Sequence, residues 1–313
     1  LGAGFWDLFA GSAERGAAQR ARIEHSIGPV WEANHVWLIF ALVVVWTGFP
    51  GVYAAIGSTL YIPLTAVALG VILRGSAFAF RKAVSRLGLQ RLFGAAFALS
   101  SVVTPFFLGT VAGAMASGRI PLGNAAGDVI GSWLNPTSLL GGVLAVEVCA
   151  YLAAVYLTAD SRRDGDLELA DAFRRRALGM GVATGVTALA GIAVLHADAP
   201  RLFSGLIGRG LALIVATAAF GIVSLLLLRR RRYVAVRTTA ALAVIAVLWG
   251  WGVGQYPDVL VGTATVQDAA APDETLVALV VTLAIGTALL VPALGLLYRL
   301  SQAGSSPSSR GAA

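Results

Sequence analysis

An all-α integral membrane protein is what this chain predicts. Hydrophobic side chains make up 58% of its 313 residues and charged ones only 12%, and the mean hydropathy is +0.80. A soluble domain carries about twice that charged share, so lipid is the expected solvent. Eight apolar segments approach the ~20 residues needed to cross ~30 Å of hydrocarbon: 30–56, 58–80, 93–116, 137–159, 177–196, 208–228, 238–254 and 275–298.

The cations punctuate these segments in order. Arg15, Arg20 and Arg22 precede the first, and Arg81, Lys82, Arg86 and Arg91 follow the second. Arg162, Arg163 and Arg174 to Arg176 follow the fourth, Arg229 to Arg232 and Arg237 the sixth, and Arg299 and Arg310 the eighth. If every segment crosses, all of these share one face. The other face keeps Arg119, Arg201 and Arg209, while Arg74 lies within a segment. Such asymmetry is the positive-inside signal, so the basic loops and the C-terminus are expected on the cytoplasmic face. Dropping one span would scramble the bias, which supports the count independently. The Arg229–Arg232 run reads as a headgroup anchor, with a specific anionic-lipid site as the alternative.

The expected organisation is one polytopic membrane domain over 1–300 and a Ser/Gly-rich, disordered cytoplasmic tail over 301–313. Residues 117–136 and 255–274 hold Gly, Pro, Asn and Asp without periodicity and read as irregular loops. No cleavable signal peptide is visible. Leu1-Gly-Ala-Gly-Phe-Trp-Asp-Leu-Phe reads like the end of a helix, so an upstream segment is expected.

Polar residues in apolar company are the candidates for function. Pro29 suits the first turn of a helix. Glu32 then falls at the positive end of the helix dipole, with His35 three residues on and on the same face. Glu32 is only about 5 Å into the helix, near the cytoplasmic border. It reads either as a proton acceptor with His35 as relay and Trp31 and Asn34 beside them, or as a capping carboxylate among interfacial tryptophans. Arg74 lies about 10 Å below the border; it snorkels to the surface or faces a polar interior. A pair with Glu32 would have to close a height difference of about 12 Å. Glu147, about 16 Å in, is the deepest acid. A carboxyl there is either a proton relay or a neutral group hydrogen-bonded to a neighbouring helix.

Several chemistries find no support. Cys149 stands alone, so no internal disulfide forms. His25 and His196 lie at span borders, and no HExxH, CxxC or i,i+4 histidine pair exists, so no metal or haem ligation by this chain alone is expected. No P-loop, dinucleotide fingerprint or Ser/His/Asp set is recognisable. The dispersed cations argue against a nucleic-acid partner.

Gly28-Pro-Val-Trp-Glu-Ala-Asn-His-Val-Trp-Leu-Ile resembles the Gly-Pro-Val-Trp-Asp-Gly-Asn-Glu-Val-Trp-Leu-Ile signature of subunit II of cytochrome bd-type quinol oxidases. Phe49-Pro-Gly-Val-Tyr-Ala, Ile72-Leu-Arg-Gly, Asn135-Pro-Thr-Ser-Leu-Leu-Gly-Gly, Gln255-Tyr-Pro, Asp268-Ala and Thr275-Leu continue the likeness in order. The resemblance implies nine helices in the family, so one would precede Leu1. It implies haem b and haem d in a partner subunit I that also carries the quinol site. A small single-helix subunit and a structural quinone are further candidates. Subunit II would support that haem-bearing partner and contribute a cytoplasmic proton path for reduction of dioxygen to water. The family's Trp-Asp pair of that path falls on Trp31 and Glu32, and its arginine on Arg74. Ala33 and His35 depart from the pattern, and Glu147 has no counterpart in it. Two other readings stay open: an ion-coupled transporter using Glu32, Arg74 and Glu147, and a purely structural subunit of a respiratory complex.

Overall fold

The computed structural model describes residues 1–11, 16–27, 31–84 and 87–303. Helices dominate: α1 (Gly2–Leu8), α2 (Ala17–Ile27), α3 (Trp31–Gly48), α4 (Pro50–Thr59), α5 (Tyr61–Ala83), α6 (Leu87–Ala116) and α7 (Pro136–Arg163). Then follow α8 (Leu167–Asp198), α9 (Pro200–Ile207), α10 (Leu211–Arg229), α11 (Tyr233–Gln255), strands β1 (Asp258–Leu260) and β2 (Ala264–Thr265), α12 (Val266–Ala269) and α13 (Asp273–Ala303). The chain is an all-α integral membrane protein. Among the described residues, seven helices are long and apolar enough to cross a bilayer, or up to eight if the bent pair α3–α4 counts as one span.

Local chemistry sets the boundaries. Asn135 caps α7 by accepting from the Ser138 N–H at 3.0 Å, with Pro136 in the first turn. Asp166 caps α8 by accepting from the Leu169 N–H at 2.9 Å. The three arginines after α10, Arg230 to Arg232, reverse the chain through Arg231, whose φ is 58°.

The expected first segment, 30–56, differs from the observed helices. It breaks at Phe49, and α4 leaves α3 at 118°. Pro50 has no N–H to donate and its ring crowds the preceding turn, so the break falls there. Instead of prolonging the span, α4 lies across one end of the bundle. Val52, Ala55 and Ile56 are buried there with Ile120, Leu260 and Ala264. The segment expected as an irregular loop holds the antiparallel β1–β2 pair and α12. A further helix, α9, lies between two expected spans. Residues 301–303 of the expected tail close α13, and 304–313 lie outside the described residues.

The core of the bundle joins α1, α5, α6, α7, α8, α10 and α11 around Trp6, Phe97, Tyr151, Phe173, Leu228 and Val236. The Trp6 Nε1 donates to the Ala150 carbonyl at 2.8 Å, fastening α1 to α7. The α6–α7 seam is closer still. A Cβ on Gly109 would collide with the Gly141 carbonyl oxygen, and one on Gly141 with that of Gly109. Only small residues let two backbones approach so closely. At the periphery, none of the apolar window of α13 is buried and only 6% of that of α8. This accounts for the excess of apolar side chains, which face outward.

Replacing Gly141 by Val forces the α6–α7 seam apart. The cost expected from overpacking is about 1–3 kcal/mol. It is checked as a lowered thermal denaturation midpoint of the detergent-solubilised protein.

Candidate functional site

Trp31, Glu32, Asn34 and His35 stand in the first turns of α3. Positions 32 and 35 share one face by helix register. Their side chains, and Gly28 to Val30 before them, lie outside the described ones. Beyond them, Val36 and Trp37 are exposed, and Trp37 meets Phe40 edge-on with ring centroids 5.8 Å apart. Gly48 is the sole buried residue among those of α3 whose burial is described. The helix thus presents its apolar flank outward.

Arg74 stands on α5 and is 5% exposed. It does not snorkel to water; its guanidinium carbon lies 5.7 Å from the centroid of Phe97 on α6. Its Nε has no hydrogen-bond partner among the described residues, and neither has the Thr104 Oγ1 on the same neighbouring helix. No ion pair to Arg74 forms among the described residues. A charged guanidinium inside the bundle, with an unused donor, is a polar interior site that costs free energy to maintain.

Glu147 stands at the α7–α8 seam, half-buried. The Thr187 hydroxyl donates to its Oε1 at 2.9 Å, while Oε2 has no partner among the described residues. One turn further along α7, the Tyr151 hydroxyl shares a hydrogen bond with Ser224 of α10. These contacts hold neighbouring helices together through side-chain hydrogen bonds. Sequence reasoning missed Tyr151, Thr187 and Ser224, because hydroxyls are frequent in spans and their partners are far along the chain.

The two ends of the bundle differ in charge. At the arginine-rich end, Arg20 pairs with Asp7 at 3.1 Å, Arg22 with Asp164 at 2.5 Å and Arg237 with Asp160 at 3.7 Å. Asp171 gathers Arg174, Arg175 and Arg231 at 2.9, 3.3 and 3.2 Å. Arg231, expected as a headgroup anchor, therefore has a protein partner. At the opposite end, Arg119 grips Asp198 with both terminal nitrogens, at 2.5 and 3.1 Å. The same carboxylate accepts from the Thr137 N–H at 3.0 Å and its hydroxyl at 2.7 Å. This clamp binds the α6–α7 loop, the start of α7 and the end of α8. Nearby, Asp128 accepts from the Gly131 N–H at 2.7 Å and the Ile130 N–H at 2.8 Å. Those two donors hold its carboxyl below the usual range.

Among the described residues, no three His, Cys, Asp or Glu side chains gather as a metal set. His25 closes α2, while His196 closes α8, edge-on to Phe203 with centroids 5.0 Å apart. These two stand at opposite ends of the bundle and do not form an axial pair for a haem.

A family model for cytochrome bd terminal oxidase subunit II matches residues 1–301. The cytochrome bd ubiquinol oxidase subunit 2 of Bacillus subtilis (strain 168) is 31% identical over 153 residues, 48% of this chain and 44% of that protein. The cytochrome bd-I ubiquinol oxidase subunit 2 of Escherichia coli (strain K12) is 30% identical over 207 residues, 63% of this chain and 52% of that protein. The chain thus spans about half the length of these curated relatives. The structure of bd oxidase from Geobacillus thermodenitrificans is similar at a TM-score of 0.77 and 27% identity, covering 96% of this chain and 91% of that one.

Two outcomes follow from the loop geometry. Asp198→Ala leaves Arg119 and Thr137 without their acceptor, and about 1–3 kcal/mol of stability is expected to be lost. The readout is faster proteolysis of the 117–135 loop at unchanged expression. A carboxylate with a depressed folded pKa contributes above its unfolded pKa, near ~3.9, and the contribution fades as pH falls through the folded value. Amide exchange at Ile130 and Gly131, corrected for its intrinsic pH dependence, is therefore expected to lose protection below about pH 4, and Asp128→Asn to abolish that step.

Proposed function

The chain belongs to the cytochrome bd terminal oxidase subunit II family, and on that premise we propose that it is the second subunit of a quinol:oxygen oxidoreductase in a bacterial cell membrane. It forms one polytopic membrane unit over 1–300, with the arginine-rich loops and the C-terminus in the cytoplasm. The observation that carries this reading is the family match over residues 1–301, supported by likeness to a solved bd oxidase chain over 96% of this one. Haem b and haem d belong to a partner subunit I, where quinol is oxidised and dioxygen reduced to water. His25 and His196 stand at opposite ends of the bundle, which supports placing the haems in the partner.

The part left to this chain is to support the haem-bearing partner and to pass protons from the cytoplasm. Glu32 accepts them, and Trp31, Asn34 and His35 shape the entrance. The reading is supported by the place of Glu32 in the first turn of α3, where the helix dipole favours the carboxylate and keeps it ready to accept a proton. His35, one turn on, has an imidazole whose ordinary pKa lies near ~6.5, suited to relaying at neutral pH. Of the two intramembrane ionisable residues, Glu147 serves the α7–α8 seam through Thr187, and Arg74 holds a buried place between α5 and α6.

Two measurements test this. A reduced-minus-oxidised spectrum of the detergent-purified preparation is expected to carry b- and d-type bands from a co-purifying subunit; a colourless single chain that stays folded would sink the oxidase reading. Glu32→Gln is expected to slow oxygen consumption about tenfold or more with assembly and haem bands intact. Turnover equal to wild type over the whole pH range would remove Glu32 from the path and leave a purely structural subunit.

A further inference from the structure

At the end of the bundle opposite the arginine-rich loops, the α9–α10 turn and the end of α11 border an open cleft of about 150 Å³. Its walls include Arg201, Arg209, Gln255, Tyr256 and Asp258. Arg201 stands in the first turn of α9, its guanidinium against Gly262, a position of positive φ (77°) where a Cβ would collide with it. Arg209 precedes α10 and lies over the Tyr256 ring, 5.9 Å from its centroid. Of the cations expected at this end, Arg119 is neutralised by Asp198. Arg201 and Arg209 have no ion pair among the described residues. The Asp258 carboxylate is turned to the Gly262 N–H at 3.2 Å. Gln255 is 8% exposed; its Nε2 donates to the Val259 carbonyl at 2.7 Å, while its Oε1 has no partner among the described residues.

Two guanidiniums against one carboxylate leave a single net positive charge in the cleft, which is the complement of one phosphodiester anion. The position fits the source. Arg209 lies two residues before a 19-residue apolar helix, α10. Trp249 and Tyr256 at the same end of α11 are 66% and 56% exposed, as aromatic side chains are at the headgroup level. We propose that this cleft is a binding site for the phosphate of an anionic glycerophospholipid. Arg201 and Arg209 take the phosphate oxygens, and the acyl chains run down the exposed flank of α10. The site is independent of the proton-path reading.

The test uses the oxidase as purified with its partner subunits. Native mass spectrometry follows phosphatidylglycerol, phosphatidylcholine and inorganic phosphate as separate probes. Phosphatidylglycerol is expected to bind about tenfold more tightly than phosphatidylcholine. The R201Q/R209Q double variant is expected to erase that preference, and R201K/R209K to retain most of it. Should the glutamine pair fail to assemble, Arg209→Gln alone is expected to weaken the preference about threefold. A preference unchanged by removing the arginines overturns the assignment. So does displacement of phosphatidylglycerol by an equal concentration of inorganic phosphate, which makes this a site for the free anion.

Discussion

Contact between two backbones at Gly109 and Gly141 is the constraint on which the arrangement of the bundle rests. In lipid, apolar side chains gain little by leaving their solvent, so helices associate through close packing and through hydrogen bonds that lipid cannot replace. The α6–α7 seam supplies the packing. Trp6 with Ala150, Thr187 with Glu147 and Tyr151 with Ser224 supply the bonds. All three start from α7, which therefore acts as the axis around which α1, α8 and α10 are placed. The buried Arg74 then sits on α5, where α6 presents Phe97 and Thr104 towards the interior.

Much of this is legible in the sequence. Long apolar runs between arginine-rich loops define helices because nothing else satisfies backbone groups in hydrocarbon. The bend at Pro50 was not legible. Pro105 and Pro292 lie inside α6 and α13, while Pro50 begins a new helix, and composition does not distinguish the cases. What decides is whether the downstream turn finds partners elsewhere, and α4 finds them in the loop residues Ile120 and Leu260. The clamp at Asp198 was hidden for a similar reason: its partners are 61 and 79 positions away. For the candidate site, the location of Glu32 in a first helical turn follows from Pro29 and the apolar run. The burial of Arg74 does not, since seven residues from a border are compatible with snorkelling and with an interior place.

The two ends of the bundle handle positive charge differently. At the arginine-rich end, Asp7, Asp160, Asp164 and Asp171 return part of the charge locally, so the basic loops are fastened to the protein as well as to lipid. The opposite end has few cations; one of them is spent on closing the loop over α7 and α8, and two flank a cleft. Orientation in the membrane and local structure are thus written by the same arginines at one end and by separate ones at the other.

The bend between α3 and α4 has a mechanical side. Gly48 is held by the Ala271 N–H, which donates to its carbonyl at 2.8 Å, and by Leu279 packed against its Cα. The described side chains of the other turns are only partly buried or exposed. Helix α3 is therefore a rod about 27 Å long, fastened at the end remote from Glu32. A tilt of about ten degrees around that fastening carries position 32 sideways by about 4 Å. Whatever covers the outer flank of α3, lipid or another subunit, sets the aim of this lever.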